Sequence, residues 1–569
     1  MCGYLGFFSN EKNISTLTEK LSKAFDLLKS RGPDSYGLVS ENGIYCGFRR
    51  LAIIDPIARS DQPFKSKCGN YLLCFNGEIY NYKELSKLLI NKNVKLKTTS
   101  DTEVILELYI LYKEKVLDFL RGMFSIMIFN RRLNKVFFAR DHFGIKPLYY
   151  SLTNEGLIIC SQVKPLVSSG LVKNKINSSS RKALYFLGSI PEPSTYFENI
   201  HSVKSGQYLY YDLDEKKLIK KQWFNLNKSF KNKKNIKISS ETISNFRNTI
   251  LDSISSHCIA DTNIGLFYSN GLDSNLIYNS IKNLFDYKVS NFSINFKDGS
   301  YDEIKNIDKS IGNHSLFTKE ISHEDVQNDM ENIFKSMDQP SIDGTNVWYV
   351  SKLARENKIK TVLSGLGADE IFNGYNILNR VDLLHKNKFL VLFVKLLKYF
   401  SKINKDKLNL LDIYYKNRSH IWLLLRSFIP VNKLKDMGVI SEDENIIDMI
   451  FNNLDLNIED DTTFLEINFY LKNQLLRDTD WASMAHGVEV RVPFVDIELF
   501  KLITKYDLHS KYKNKVNFYS HIFGDIIPKK LFKYKKKGFK QPNYNWYKST
   551  VNTKFDYVSN IEIEYIKSL

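Results

Sequence analysis

The chain has 569 residues, 43% hydrophobic and 25% charged, with a formal net charge of +18; that is too long for one ordinary core and apolar enough for two. No apolar run reaches the ~20 residues of a membrane span, since the most apolar stretch, Phe389 to Phe400, is broken by Lys395 and Lys398; the start shows no signal peptide. Six cysteines (2, 46, 68, 74, 160, 258) with no C-x-x-C pair and ten scattered histidines argue against a disulfide framework or a zinc site and for a reducing cytoplasm, and lysine spread without interleaved aromatics reads as a solvated surface rather than a nucleic-acid face.

The chain opens Met1-Cys2-Gly3. With the initiator methionine removed, Cys2 carries a thiol and a free α-amine on one carbon skeleton. The amine, at about 7.7–8.0, can take the proton of a thiol at about 8.5 near neutral pH, so such a nucleophile brings its own base. Cleaving an amide also needs oxyanion donors and charges for the two ends of the substrate. Tyr71 to Phe75 reads as a strand ending in Asn76-Gly77-Glu78, followed by helical spacing from Asn81 to Ile90. Asn76 offers an amide NH2, and Gly77 a backbone N–H that no Cβ shields. Arg50 can grip a carboxylate bidentately and Asp101 can receive an ammonium. Singly, each has a plainer reading: a turn pair, a surface ion pair, a helix cap.

Together with Arg31-Gly32-Pro33-Asp34, Ser100-Asp101-Thr102-Glu103 and the run Ala139 to Tyr150, these segments resemble in order the glutaminase domain of glutamine-dependent asparagine synthetases. The resemblance implies an αββα N-terminal-nucleophile sandwich in which Cys2 attacks glutamine and Asn76 and Gly77 form the oxyanion hole. Arg50 would hold the α-carboxylate, and Glu78 with Asp101 the α-amine. Glutamate and ammonia would be the products.

Ammonia released to water is protonated and lost as a nucleophile, so a second site should consume it. From Asp214 to Ser240 the composition turns to Lys, Asn and Ser around Trp223, which places the connection at residues 212–240, between a glutaminase domain at 2–211 and a synthetase domain at 241–569. Asn263 to Tyr268 reads as a buried strand, Ser269 to Ser274 as a small-residue turn, and Asn275 to Phe285 as a helix, an arrangement that cradles anions. The turn lacks the lysine of a kinase-type phosphate loop. A second apolar strand, Lys360 to Leu363, leads into the glycine-rich turn Ser364 to Tyr375, and two such turns at strand carboxyl ends are how an open α/β sheet holds a nucleotide.

The pattern Ser-x-Gly-x-Asp-Ser, the run Arg477 to Asp496 and Lys535 to Pro542 resemble the same family's α/β ATP-pyrophosphatase domain. The resemblance implies ATP as co-substrate, bound by Phe267, Ser269, Gly271, Asp273, Ser274, Ile294, Ser364 and Gly365. Mg2+ would sit on Asp273 and Asp369, and Lys536, between neighbouring lysines, would stabilise the adenylation transition state. It further implies ammonia passing internally to an acyl adenylate of aspartate, giving asparagine, AMP and pyrophosphate; a homodimer is compatible with it. Three positions depart from the family pattern. Asn270 stands where glycine is usual, Gln162 where acidic residues are frequent, and Leu366 where a carboxylate is usual. The last leaves open another acceptor carboxylate, such as a uronic acid of a surface polysaccharide.

Overall fold

Strand-forming aromatic and β-branched residues crowd the first 222 positions, and in the computed structural model they pair into two antiparallel sheets of six strands each. The structure describes residues 2–11, 13–231, 238–285, 288–297, 316–386, 417–453, 461–533 and 554–569. In one sheet, β1 (Gly3–Phe8) and β9 (Leu157–Cys160) lie at the centre. Beyond β1 come β3 (Ile44–Arg50) and the edge strand β2 (Ser35–Glu41); beyond β9 come β8 (Tyr149–Leu152) and β10 (His201–Ser202). The other sheet runs β12 (Lys217–Gln222), β11 (Gln207–Asp212), β7 (Lys135–Arg140), β6 (Gly122–Asn130), β5 (Tyr71–Ile79) and β4 (Phe64–Lys65).

Facing side chains of the two sheets, among them Tyr4, Phe48, Cys74, Met127 and Phe138, form one buried layer between them. Helices Tyr82–Asn91 and Asp101–Tyr112 cover the outer face of the second sheet through Leu85, Leu89, Ile105 and Leu108. Helices Ser15–Asp26 and Val163–Ser168 cover the first through Leu21, Phe25 and Leu166. That is the expected αββα order of layers.

Strand β12 lies within the stretch read from composition as a connection. Its register against β11, Gln207↔Gln222 to Asp212↔Lys217, makes it the edge of the sheet. Its lysines point to solvent, as they do on many edge strands, so a structural strand carries the composition of a linker. Trp223 then stacks on Phe124 with ring centroids 6.1 Å apart, and Phe230 packs against Phe464 and Phe500.

The second half builds a parallel sheet of five strands: β15 (Leu316–Ile321), β14 (Val289–Phe296), β13 (Ile264–Phe267), β16 (Thr361–Leu363) and β17 (Glu489–Arg491). Chain order runs outward in one direction from β13 and in the other from β16. The crevice between these two strands is therefore the topological switch point where open α/β sheets bind ligands. Helices Leu272–Leu284 and Thr345–Glu356 and the continuous helical run from Thr462 to Met484 pack around it.

Polar contacts, buried and exposed, join the halves. Arg31 pairs with Asp480 at 2.7 Å with both side chains almost wholly buried, Arg121 with Asp496 at 2.8 Å, and Lys360 with Asp34 at 2.8 Å. No helix among the described residues is long and apolar enough to cross a membrane; Phe389 to Phe400 lies outside them.

Candidate active sites

Cys2 immediately precedes β1, and three elements fix it. Its main-chain nitrogen donates to Asn76 Oδ1 at 2.9 Å, its carbonyl accepts from Arg31 Nε at 3.1 Å, and its Sγ lies 3.9 Å from the Leu51 carbonyl. Burial pushes the thiol up from its ordinary value, so the sulfur needs a neighbouring base to become a thiolate. Strand β5 delivers Asn76, whose amide Nδ2 is buried and has no hydrogen-bond partner among the described residues. A buried donor without a partner is costly unless something else meets it; here it belongs to the side chain whose oxygen holds the Cys2 nitrogen. Gly77 follows at φ +153°, and a Cβ there would stand 2.0 Å from the Met123 carbonyl oxygen, so β5 and β6 close together only over glycine.

Asp101 opens the Asp101–Tyr112 helix behind the cap Ser100, and its carboxylate accepts from the Ile79 N–H at 3.2 Å and from the Ser100 hydroxyl at 3.3 Å. Burial raises it to about 6. Glu78 is buried beside it, pushed well above the ordinary carboxylate range by burial first and by Glu489 next, against the pull of Arg491. The structure thus brings Cys2, Asn76, Gly77, Glu78 and Asp101 together around the end of β5. Arg50 is differently engaged: it pairs with Asp61 at 2.8 Å and donates to the carbonyls of Ile54, Asp55 and Ile57. In this conformation the guanidinium braces the Ile54–Asp61 loop, and a substrate carboxylate would have to compete with Asp61.

At the switch point the Ser269–Ser274 turn is closed by its own hydroxyls. Ser274 Oγ donates to the Ser269 carbonyl at 2.6 Å, and the Gly271 N–H donates to Ser269 Oγ at 3.2 Å. Gly271 caps the Leu272–Leu284 helix without a side-chain bond, so the helix begins before Asn275, where periodicity placed it, and carries Asp273 in its first turn. Asn270 does not adopt a left-handed conformation, which is why asparagine replaces glycine there without strain. Phe267 and Ile294 lie on the adjacent strands β13 and β14.

After β16 comes the second turn. A Cβ on Gly365 would stand 2.8 Å from Asp273 Cβ, so the two loops touch at a glycine. Gly367, at φ +90°, caps the short helix Ala368–Ile371 that carries Asp369. The two aspartates converge on one cation: Lys515 Nζ lies 2.6 Å from Asp273 Oδ2 and 2.5 Å from Asp369 Oδ1. Two hard carboxylates from separate loops facing a phosphate-type turn fit Mg2+, which takes one or two carboxylates and completes its shell with phosphate oxygens and water. No group of three or more His, Cys, Asp or Glu suited to a metal occurs among the described residues. Lys536 lies outside them.

Leu366 is half-buried, its side chain packed on the core and its N–H directed at Ser364 Oγ, 3.3 Å away. Close by in sequence, Glu370 accepts a hydrogen bond from Tyr375 at 2.8 Å. Arg426 lies 3.9 Å over the Tyr470 ring and 4.9 Å over the Tyr375 ring and pairs with Glu466.

Sequence reasoning missed Lys515, because in a chain with lysine throughout, one lysine at the start of the Lys515–Phe523 helix carries no signal. It also missed the role of Glu489 and Arg491, which lie in a run quoted only for its resemblance. Glu489 is held below the ordinary carboxylate range: burial opposes its charge, and the N-terminal ammonium, then Arg491 and Lys146, more than compensate.

Residues 1–224 match the model of a glutamine amidotransferase domain and residues 245–557 that of asparagine synthase. Glutamine-hydrolyzing asparagine synthetase 1 of Bacillus subtilis (strain 168) is 30% identical over 589 residues, covering 99% of this chain and 90% of that protein. A putative glutamine-hydrolyzing asparagine synthetase 2 of Methanocaldococcus jannaschii is 29% identical, over 72% of this chain and 81% of its own. A putative glutamine-hydrolyzing asparagine synthetase of Mycobacterium tuberculosis (strain ATCC 25618 / H37Rv) is 27% identical, over 96% and 88%.

Proposed function

The chain belongs to the family of glutamine-hydrolysing asparagine synthetases, and on that premise we propose that it amidates a carboxylic acid at one site with ammonia cut from glutamine at the other. The observation that carries the reading is the meeting of Asp273 and Asp369, from two loops at the sheet's switch point, on a single cation. An amidotransferase domain alone would not need that arrangement.

In the first site the Cys2 amine takes the thiol proton and the thiolate adds to the glutamine amide carbon. The oxyanion that forms there is received by Asn76 Nδ2 and the Gly77 N–H. The proton goes to the departing nitrogen, ammonia leaves, and water hydrolyses the thioester to glutamate. Glu78 and Asp101 receive the α-ammonium. Arg50 draws the α-carboxylate by releasing Asp61.

In the second site the acceptor carboxylate attacks the α-phosphorus of ATP and pyrophosphate departs into the Ser269–Ser274 turn, with Lys515 and Lys536 supplying positive charge. Mg2+ on Asp273 and Asp369 would supply the remaining neutralisation of the phosphates. Ammonia, shielded from water between the two domains, then displaces AMP from the acyl adenylate. The six cysteines are all free thiols, which supports a reducing compartment such as the cytoplasm.

Aspartate is the acceptor we propose first, giving asparagine. Leu366 favours a second acceptor: its side chain can accept neither a proton nor a hydrogen bond, which suits a wider, less charged pocket such as a uronic acid would need. The deciding experiment is kcat/KM for pyrophosphate release with aspartate against a panel of uronic acids and nucleotide-linked sugars, in wild type and Leu366→Glu. Aspartate turnover at an ordinary enzyme level in wild type removes the uronic acid reading. No response to aspartate at saturating ATP and ammonia removes asparagine synthesis.

A further inference from the structure

Glu78 belongs to a glutaminase strand, yet its one oppositely charged contact among the described residues comes from the other domain. Arg491, at the carboxyl end of β17, brings Nη2 to 3.3 Å from Glu78 Oε2. Its Nε donates to Glu489 at 2.6 Å and its Nη1 to the carbonyls of His257 and Ile259 at 3.0 and 2.5 Å. Synthetase groups therefore fix the guanidinium plane. Nη2 is left facing Glu78, and although the two atoms are close, neither makes an aligned hydrogen bond. Three carboxylates, Glu78, Asp101 and Glu489, share this buried region with the Arg491 guanidinium, the N-terminal amine and Lys146. A buried carboxylate and guanidinium that are close but not aligned in a hydrogen bond leave both groups able to take a further polar partner, such as an ammonium on the carboxylate.

We infer that Arg491 is a positioning residue for glutamine: anchored in the synthetase domain, it holds and aims the Glu78 carboxylate, so the α-ammonium subsite is completed across the domain interface. The inference rests on the role proposed above for Glu78. Arginine suits the task because its planar fork can serve Glu489, two carbonyls and Glu78 at once, which a lysine ammonium cannot. The same residue's main-chain carbonyl accepts from the Ser364 N–H at 2.9 Å, so the glutamine subsite and the second nucleotide loop share one residue of β17. That main-chain bond survives replacement of the side chain.

The test is steady-state glutamine hydrolysis by full-length Arg491→Gln and Arg491→Lys, with ammonia-dependent pyrophosphate release measured on the same preparations. Loss of a charged partner to a carboxylate predicts a glutamine KM raised roughly tenfold in Arg491→Gln and about threefold in Arg491→Lys, with kcat changed less than KM. Ammonia-dependent release persists in both. A glutamine KM unchanged in folded Arg491→Gln overturns the inference. So does a parallel fall of kcat, ammonia-dependent release and melting temperature in both variants, which is what a purely structural residue would give. Should Arg491→Gln not fold, Arg491→Lys decides alone, an unchanged KM counting against the inference. Failure of the underlying glutaminase reading shows separately, as wild-type glutamine hydrolysis that Cys2→Ala leaves intact.

Discussion

Replacing Asn76 by alanine removes two things at once: the acceptor that holds the Cys2 nitrogen at 2.9 Å and the buried Nδ2 that has no partner among the described residues. If that Nδ2 meets the oxyanion, its loss costs about 10²–10³ in kcat, or roughly 2.7–4 kcal/mol of transition-state stabilisation. Its effect on glutamine KM should be small, because the oxyanion exists only in the transition state. Losing the bond to the Cys2 nitrogen adds roughly 1–3 kcal/mol of folding cost if that N–H finds no other acceptor. Asn76→Asp separates the two effects, since it keeps an oxygen for the Cys2 nitrogen and lacks the amide donor. The assay is glutamate release under saturating glutamine, with ammonia-dependent pyrophosphate release as the check that the other site is intact. Both variants should be slow in the first assay and active in the second. Asn76→Ala retaining more than about a tenth of wild-type kcat would refute the assignment of Nδ2 to the oxyanion. Recovery in Asn76→Asp alone would show that the tether to Cys2 is what matters.

Cys2→Ala should abolish glutamine hydrolysis and leave synthesis from added ammonia; surviving glutaminase activity would show that another group attacks. Asp273→Asn and Asp369→Asn should each lose most pyrophosphate release while glutamine hydrolysis persists, because each removes a hard anionic ligand from the loop junction. Asp101, raised to about 6 by burial, and Glu78, pushed well above the ordinary carboxylate range, must be ionised to receive an ammonium, so kcat/KM for glutamine should fall as pH drops toward and through about 6. Asp101→Asn should remove the part of that limb near 6; the groups facing Asp101 are the N–H groups of Ile79 and Thr102, the Ser100 hydroxyl and the carboxylates of Glu489 and Glu78. Asp480→Asn leaves Arg31 buried without its counter-charge, which costs about 3–5 kcal/mol. A melting temperature lowered by several degrees and a weakened glutaminase should appear together, because Arg31 also holds the Cys2 carbonyl.

The halves of the chain were legible in sequence to different degrees. Strand β5 and the turns after β13 and β16 were readable because apolar runs stop abruptly at Asn76-Gly77, Ser269 and Ser364, where small residues mark where backbone must approach backbone or ligand. Strand β12 was not, because an edge strand with lysines turned to water has the composition of a linker. The contacts that complete the sites were hidden for a different reason. Arg31 and Asp480 are separated by 449 positions, Asp273 and Lys515 by 242, and no local periodicity encodes a pairing at that distance. Arg50 shows the converse: sequence offers it either as a grip for a carboxylate or as an ion pair, and the structure shows Asp61 at the guanidinium.

The central claim is that nitrogen leaves glutamine at Cys2 and reaches a carboxylate activated by ATP at the other site of the same chain. Full-length protein given amide-15N-glutamine, ATP, Mg2+ and aspartate, with unlabelled ammonia in the medium, should form labelled asparagine in step with AMP and pyrophosphate, the label largely undiluted. Glutamate formed without acceptor-dependent pyrophosphate, under aspartate and under every uronic acid tried, would contradict it.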